Sequence, residues 1–258
     1  MIIKEKYKQI INEKRRVQIR LLINKITSLF YVGNKFSCNC CKKSFRKFIS
    51  KGNGLISREN AECPYCTALE RSRILLFYIE NETDLLTENR CLLHFSPEWS
   101  LYPIFKKTKT LKYISADINP NLADEQIDIM SIPYENNYFD YIICSHVLGH
   151  VTDEKKGINE MVRVLKSDGI ALIMTIINPN LEETFETEDA DTAEKKLKYY
   201  SERDLLRLHG NDFDKRLLNG GFKSVEKIDY RIKLGEDICT KYSLGNGNRE
   251  VIFKCTKY

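Results

Sequence analysis

Five short runs, CLLHF (91–95), LKYISA (111–116), QIDI (126–129), FDYIICS (139–145) and GIALIMTII (169–177), are apolar on both faces of an extended chain. Strands of that kind have to be covered from both sides, and helix-like stretches at about 97–107 and 153–166 lie between them. The alternation predicts an α/β fold in which a parallel sheet carries helices on both faces. Two more strands are expected near the C-terminus, at about 223–230 and 249–256. Ligands of such sheets sit at the carboxyl ends of the strands, near the point where strand order reverses. The residues that follow each run are therefore the ones to read.

The first run ends in His94, Phe95, Ser96, Pro97 and Glu98, the second in Asp117, the third in Asp128 and the fourth in Ser145 and His146. An acidic residue at the end of the second strand suits a ribose, because one carboxylate accepts from both the 2′ and 3′ hydroxyls. Asp128 can likewise accept from an adenine amino group, with a neighbouring backbone N–H donating to the ring. The four histidines of the chain are His94, His146, His150 and His209. His146 and His150 lie four apart, which on a helix places them on one face.

Four of the nine cysteines form two pairs, Cys38 with Cys41 and Cys63 with Cys66, separated by 21 residues. Thiolates at this spacing can close a tetrahedral zinc site with no position left for water. Cys40 reads as a bystander that could replace Cys38 or Cys41 in the ligand set. The segment between the pairs carries Gly52-Asn53-Gly54 as a turn, with alternating apolar residues around it, as a two-stranded ribbon requires. Cys91, Cys144 and Cys255 fall in apolar strand-like runs and read as core residues.

DIMSIPYENNYFDYIICSHVLGHV followed by NEMVRVLKSDGIALIMTI resembles the back half of a class I S-adenosylmethionine-dependent methyltransferase, of the methyltransferase type 11 kind. The pattern there is D-x-x-x-L-P-F-x-x-x-x-F-D-x-V, then H-V-L-E-H-V, then R-V-L-K-P-G-G. With the cysteine pairs, TALERSR after the second pair, and the later ETFE and RLHGNDF, the resemblance extends from about Cys38 to Phe222. It is similar to zinc-ribbon-bearing methyltransferases associated with glycan biosynthesis. The resemblance implies a Rossmann-like sheet, with S-adenosylmethionine as cofactor and a structural zinc ion. Asp117 would hold the ribose, Asp128 and the backbone of Ile129 the adenine, and Ser145 and His146 would border the methionine end.

Three positions depart from that pattern. Where the family carries a glycine-rich loop after the first strand, this chain has HFSPEWSL. A subgroup with a His-x-Ala/Ser-Pro-Glu loop is similar; there His94 would face the pocket, and Ser96, Glu98 and the start of a helix opened by Pro97 would meet the amino-acid end of the cofactor. Gly149 stands where the family has Glu. Ser167-Asp168-Gly169 replaces Pro-Gly-Gly.

Methyl transfer from a sulfonium is an in-line displacement, and a hydroxyl acceptor must also lose a proton. His146 is the candidate closest to the methyl, with His150 as helper. The long acidic stretch after the fifth strand reads as a lid or substrate loop. The resemblance places Glu183, Arg207 and His209, in ETFE and RLHG, at the substrate entrance.

Residues 1–30 hold eight basic side chains against two acidic ones, a local +6 that exceeds the +5 of the whole chain. Ile3, Tyr7, Ile10, Ile11, Val17, Leu21 and Leu22 recur at near-helical spacing, so an amphipathic basic helix packed on its own protein is expected. The expected organisation is a basic helix over 1–34, a zinc ribbon over 35–67 and a methyltransferase domain over 68–258. The chain shows no apolar run long enough to span a membrane and no secretory signal, which predicts a cytoplasmic protein. The favoured acceptor is a sugar or other polar small molecule, methylated on oxygen. Two alternatives stay open: an RNA methyltransferase that docks nucleic acid through the ribbon and the basic arm, and a non-catalytic zinc-ribbon interaction protein. The sequence sets neither the acceptor atom nor the oligomeric state.

Overall fold

The computed structural model describes residues 13–52 and 57–258. Ile3, Tyr7, Ile10 and Ile11 of the basic helix, and Asn53 and Gly54 of the expected ribbon turn, lie outside the described residues.

Helix α1 (Glu13–Thr27) leads through a short 3₁₀ turn into two hairpins, β1 (Val32–Cys38) with β2 (Lys43–Phe45) and β3 (Ile49–Gly52) with β4 (Ser57–Glu62), both antiparallel. Helix α1 buries none of its residues. Polar clamps hold it: Asn119 Nδ2 donates to Glu13 at 2.6 Å and Arg20 pairs with Glu62 at 2.6 Å, while Leu22, Ile23 and Ile26 stay exposed. Of the expected apolar stripe, Val17 and Leu21 are half-buried and Leu22 is exposed. Phe36, Phe45 and Phe48 form a small core beneath the hairpins.

After α2 (Glu70–Glu82) the chain enters a seven-stranded sheet of β5 (Arg90–Phe95), β6 (Leu111–Asp117), β7 (Glu125–Gln126), β8 (Phe139–Ser145), β9 (Leu165–Met174), β10 (Ser224–Ile228) and β11 (Ile252–Thr256). Its spatial order is β10-β11-β9-β8-β5-β6-β7. Strands β5 to β9 run parallel, and β11 is antiparallel to both neighbours. The order reverses between β5 and β8, which puts the ends of those two strands side by side.

Successive residues of each central strand serve opposite faces, as the pleat dictates. Leu93, Phe95, Ile142, Cys144, Ala171 and Ile173 pack with α4 (Glu154–Val164) and α6 (Phe213–Asn219). Leu92, Tyr141, Ile143, Leu172 and Met174 pack with α2 and α3 (Tyr102–Lys107). Cys91, Cys144 and Cys255 are buried in this sheet, as core residues should be.

Strand β7 is shorter than the QIDI run suggests. The Asp128 carboxylate accepts the Met130 N–H at 2.8 Å and its carbonyl accepts the Ser131 N–H, so the backbone turns away there. Such turns are what short acidic side chains favour. The acidic stretch after β9 is not structureless either: α5 (Ala193–Tyr200) forms within it, and Ala190, Tyr200, Leu205 and Leu208 make a local core. Helices α7 (Tyr230–Leu234) and α8 (Glu236–Tyr242) precede β11. Among the described residues no helix is long and apolar enough to cross a membrane.

Candidate active site

A cavity of about 510 Å³ opens over the ends of β5, β6 and β8. Asp117, Asp128, Ile129 and His146 line it together with Ser96. The Asp117 carboxylate accepts the Asn119 N–H at 2.8 Å through Oδ1, and Asp128 holds the Met130 N–H in the same way. In each case Oδ2 has no protein partner among the described residues, so both carboxylates are fixed and still able to accept.

The loop without glycines solves its turn by strain. Ser96 takes φ +48°, and across the strand-order reversal His146 takes φ +58°. Left-handed backbone costs a non-glycine residue about 1–2 kcal/mol. Outliers of this kind cluster at functional sites.

Pro97 does not start a helix, contrary to expectation. Helix α3 begins at Tyr102, with Pro103 in its first turn, because the chain leaves Ser96 in a left-handed turn and makes a separate bend over 98–102. The Leu101 and Tyr102 N–H groups both donate to the Glu98 carbonyl at 2.9 Å, and so are not free for an anion.

His94 does not face the cavity. It is fully buried, its Nδ1 is 3.1 Å from the Tyr113 hydroxyl, and its Nε2 is 2.9 Å from Glu98 Oε2. The network assigns the proton to Nε2, which makes His94 the support that holds Glu98. Burial pushes the Glu98 carboxyl up, but the His94 hydrogen bond and the Arg71 charge outweigh it and leave the group below the usual carboxylate range.

The other oxygen, Glu98 Oε1, is buried with no hydrogen-bond partner among the described residues, and so are Arg71 Nε and Ser145 Oγ. Arg71 Nε and Glu98 Oε1 stand 3.8 Å apart, too far for a hydrogen bond. Both residues line a second cavity of about 260 Å³ that shares Ser96 and Asp117 with the first.

His146 and His150 do come together, though not on a helix face. The segment is a loop with a 3₁₀ turn at Leu148–His150, and α4 starts only at Glu154. Both residues line the first cavity and a third one of about 260 Å³. His146 Nε2 donates to the Arg249 carbonyl at 3.0 Å, which leaves Nδ1 as an acceptor. Burial, with the Arg71 charge behind it, holds this imidazole well below its ordinary range, against the pull of the Arg249 carbonyl. His150 is exposed, 3.2 Å from the Asp204 carbonyl. Gly149 between them receives the segment after α5: a Cβ there would lie 2.6 Å from Leu205, and its carbonyl accepts the Leu206 N–H.

The residues expected at the substrate entrance do not reach these cavities. Arg207 is buried and spends its guanidinium on the Leu148, Val151 and Thr152 carbonyls and on Glu186. His209 is buried between Thr175 at 2.8 Å and Glu154 at 2.6 Å. Glu183 is exposed and lines none of the three cavities. Arg207 and His209 brace the segment after β9 against the turn after β8.

The four sulfurs of Cys38, Cys41, Cys63 and Cys66 all lie within 4.8 Å of one another, with Cys38 and Cys66 3.6 Å apart and Cys41 and Cys63 3.8 Å apart. Sulfurs about 2.3 Å from a tetrahedral centre are about 3.8 Å apart, so the donor set fits zinc. Cys40 turns away, towards the Ser72 carbonyl. Reading the sequence missed Arg71 and Arg249. Arg71 belongs to TALERSR, where its charge looks like any helix surface charge. Arg249 lies 103 positions from His146 and meets it only through the sheet.

Comparison with known proteins agrees with this geometry. The family described as a methyltransferase domain matches residues 104–173, from α3 to β9. An uncharacterised protein of Methanocaldococcus jannaschii is 32% identical over 117 residues, covering 42% of this chain and 48% of that protein. The ubiquinone/menaquinone biosynthesis C-methyltransferase of Yersinia enterocolitica is 36% identical over 70 residues, covering 27% and 28%. The chain thus spans less than half the length of these curated relatives. The crystal structure of the cyclase SpnF superposes with a TM-score of 0.50 at 14% identity, over 93% of this chain and 96% of that one. The seven-stranded sheet with helices on both faces is a Rossmann-like fold shared with that structure, and the methyltransferase-domain match lies within it.

Proposed function

We propose that the protein is an S-adenosylmethionine-dependent methyltransferase with a structural zinc site, acting on a hydroxyl of a sugar or other polar small molecule. One observation carries the reading: beside Asp117, the loop that replaces the glycines leaves a carboxylate oxygen, Glu98 Oε1, and a guanidinium nitrogen, Arg71 Nε, buried 3.8 Å apart, each without a hydrogen-bond partner among the described residues. Buried polar groups are normally paired, and an opposed pair held apart suits a zwitterion. Glu98 would take the α-ammonium of the cofactor and Arg71 its α-carboxylate. Asp117 would accept from the ribose hydroxyls, and Asp128 with Ile129 would hold the adenine. When bound, S-adenosylmethionine supplies an electrophilic methyl group.

The protein's own part is alignment. The acceptor would enter where His146 and His150 join the first and third cavities. His146 is kept neutral with Nδ1 open, so it can take a hydrogen bond from a hydroxyl and fix its direction, while His150, open to solvent, can carry the proton away. The sugar acceptor and the choice of oxygen rest on the resemblance of the sequence.

Calorimetry with S-adenosylhomocysteine tests the assignment. The parent is expected to bind, and Asp117→Ala to lose about 1.5–3 kcal/mol of that affinity. Glu98→Gln is expected to bind roughly tenfold more weakly with little change in melting temperature. A parent that does not bind, or an Asp117→Ala variant that binds equally well, would overturn the reading.

A further inference from the structure

The third cavity has a character of its own. Its walls come from three places: Lys51 and Arg58 of the zinc-bearing hairpins, Arg71 at the start of α2, and His146, His150 and Arg249 at the sheet ends. Among the described residues, four permanent cations thus face one space of about 260 Å³, with Glu202 as the one carboxylate on its wall.

Arg58 and Lys51 are held from behind, and Arg249 from the cavity wall. Arg58 gives Nε and Nη2 to Glu70, Lys51 gives one donor to Glu62, and Arg249 gives Nη2 to Glu202. Glu62 and Glu70 are buried and line none of this cavity. That arrangement leaves Arg58 Nη1, two donors of the Lys51 ammonium, and Nε and Nη1 of Arg249 without a protein partner among the described residues. Donors fixed by these ion pairs and lining one cavity match a group that offers several acceptor oxygens at once.

We infer that the methyl acceptor carries a phosphate group, held in this cavity by Arg58, Lys51 and Arg249, so that the zinc module forms one wall of the acceptor site. A phosphate offers acceptor oxygens in several directions, enough for cations arriving from both the hairpins and the sheet, where a carboxylate has two in one plane. His146 and His150 lie on the wall shared with the cofactor cavity, which places the rest of a small phosphorylated molecule next to the transfer point. The inference rests on the methyltransferase reading and narrows its substrate class.

The test is titration of the protein loaded with S-adenosylhomocysteine. Inorganic phosphate and glucose 1-phosphate are expected to bind and to compete with each other, and neutral glucose not to bind. Arg249→Gln should weaken phosphate binding at least tenfold and leave S-adenosylhomocysteine affinity within twofold. Glu202→Gln should tighten phosphate binding severalfold, a gain that misfolding cannot imitate. If the loaded protein ignores millimolar phosphate, binds glucuronate as well as glucose 1-phosphate, or shows no response to either substitution, the phosphate site is wrong although the methyltransferase stands. If S-adenosylhomocysteine itself does not bind, it is the underlying reading that fails.

Discussion

Replacing Cys63 with serine is expected to strip the chain of zinc and to unfold the segment from about Val32 to Cys66, the largest effect of any single change considered for this protein. Structural zinc sites in small modules supply about 10–16 kcal/mol of apparent binding energy at neutral pH, and that energy is folding energy. The module has little else. Its two hairpins are each two-stranded, and its apolar core is essentially Phe36, Phe45 and Phe48 around the cysteines. Isolated hairpins of this size are marginal in water. Protein purified without chelator should contain one zinc per chain by elemental analysis, and the variant none, with new protease cleavage confined to the module. The sheet should keep its far-UV signal, because its two cores lie on β5 to β11 and their helices. Parent protein without zinc, or a variant that keeps it, would rule out the four-cysteine assignment.

The same experiment bears on function, because the module is a wall and not an appendage. Lys51 and Arg58 reach the third cavity from its hairpins, and Glu62 joins Arg20 of α1 to Lys51. Losing the metal should therefore damage the acceptor side more than the adenosine side, where Asp117 and Asp128 sit on the sheet.

How much of this was legible in the sequence follows from the range of the interactions. The strands were readable because two apolar faces are a local property, and the aspartates because they follow those strands directly. The cysteine pairs carried their own spacing. The loop HFSPEW was not readable: whether Ser96 adopts a left-handed turn depends on Ala116, whose carbonyl takes its N–H from the neighbouring strand. Arg207 and His209 looked like entrance residues because their neighbours resemble an entrance motif. Their partners, Glu154 and the carbonyls of the 148–152 turn, are about 55 positions away, and only the fold reveals that those contacts use up both side chains.

TALERSR shows the limit most clearly, and gives the other large expectation. Arg71 and Arg73 are two apart, so a helix sends them to different faces. Arg71 goes to the cavities, whereas Arg73 is fully buried. The Arg73 guanidinium donates to the Ala68 carbonyl at 2.6 Å, to Tyr242 at 2.7 Å and to Ser243 at 2.6 Å, and lies 4.8 Å from the centre of the Phe48 ring. One side chain thus joins the zinc module, α2 and the end of α8. Arg73→Met keeps most of the volume and leaves three carbonyls without their donor, at about 1–3 kcal/mol for each that water cannot reach. A total loss of about 3–5 kcal/mol is expected, which for a chain of this size lowers the melting temperature by roughly 6–15 °C. Arg73→Lys should recover only part, since an ammonium is a compact charge and not a planar fork. S-adenosylhomocysteine should still bind the folded Arg73→Met protein through Asp117 and Asp128, while phosphate binding falls, because Lys51 and Arg58 are no longer held against the sheet. A loss below about 1 kcal/mol would mean that water satisfies the carbonyls, and that Arg73 does not fasten the module to the sheet.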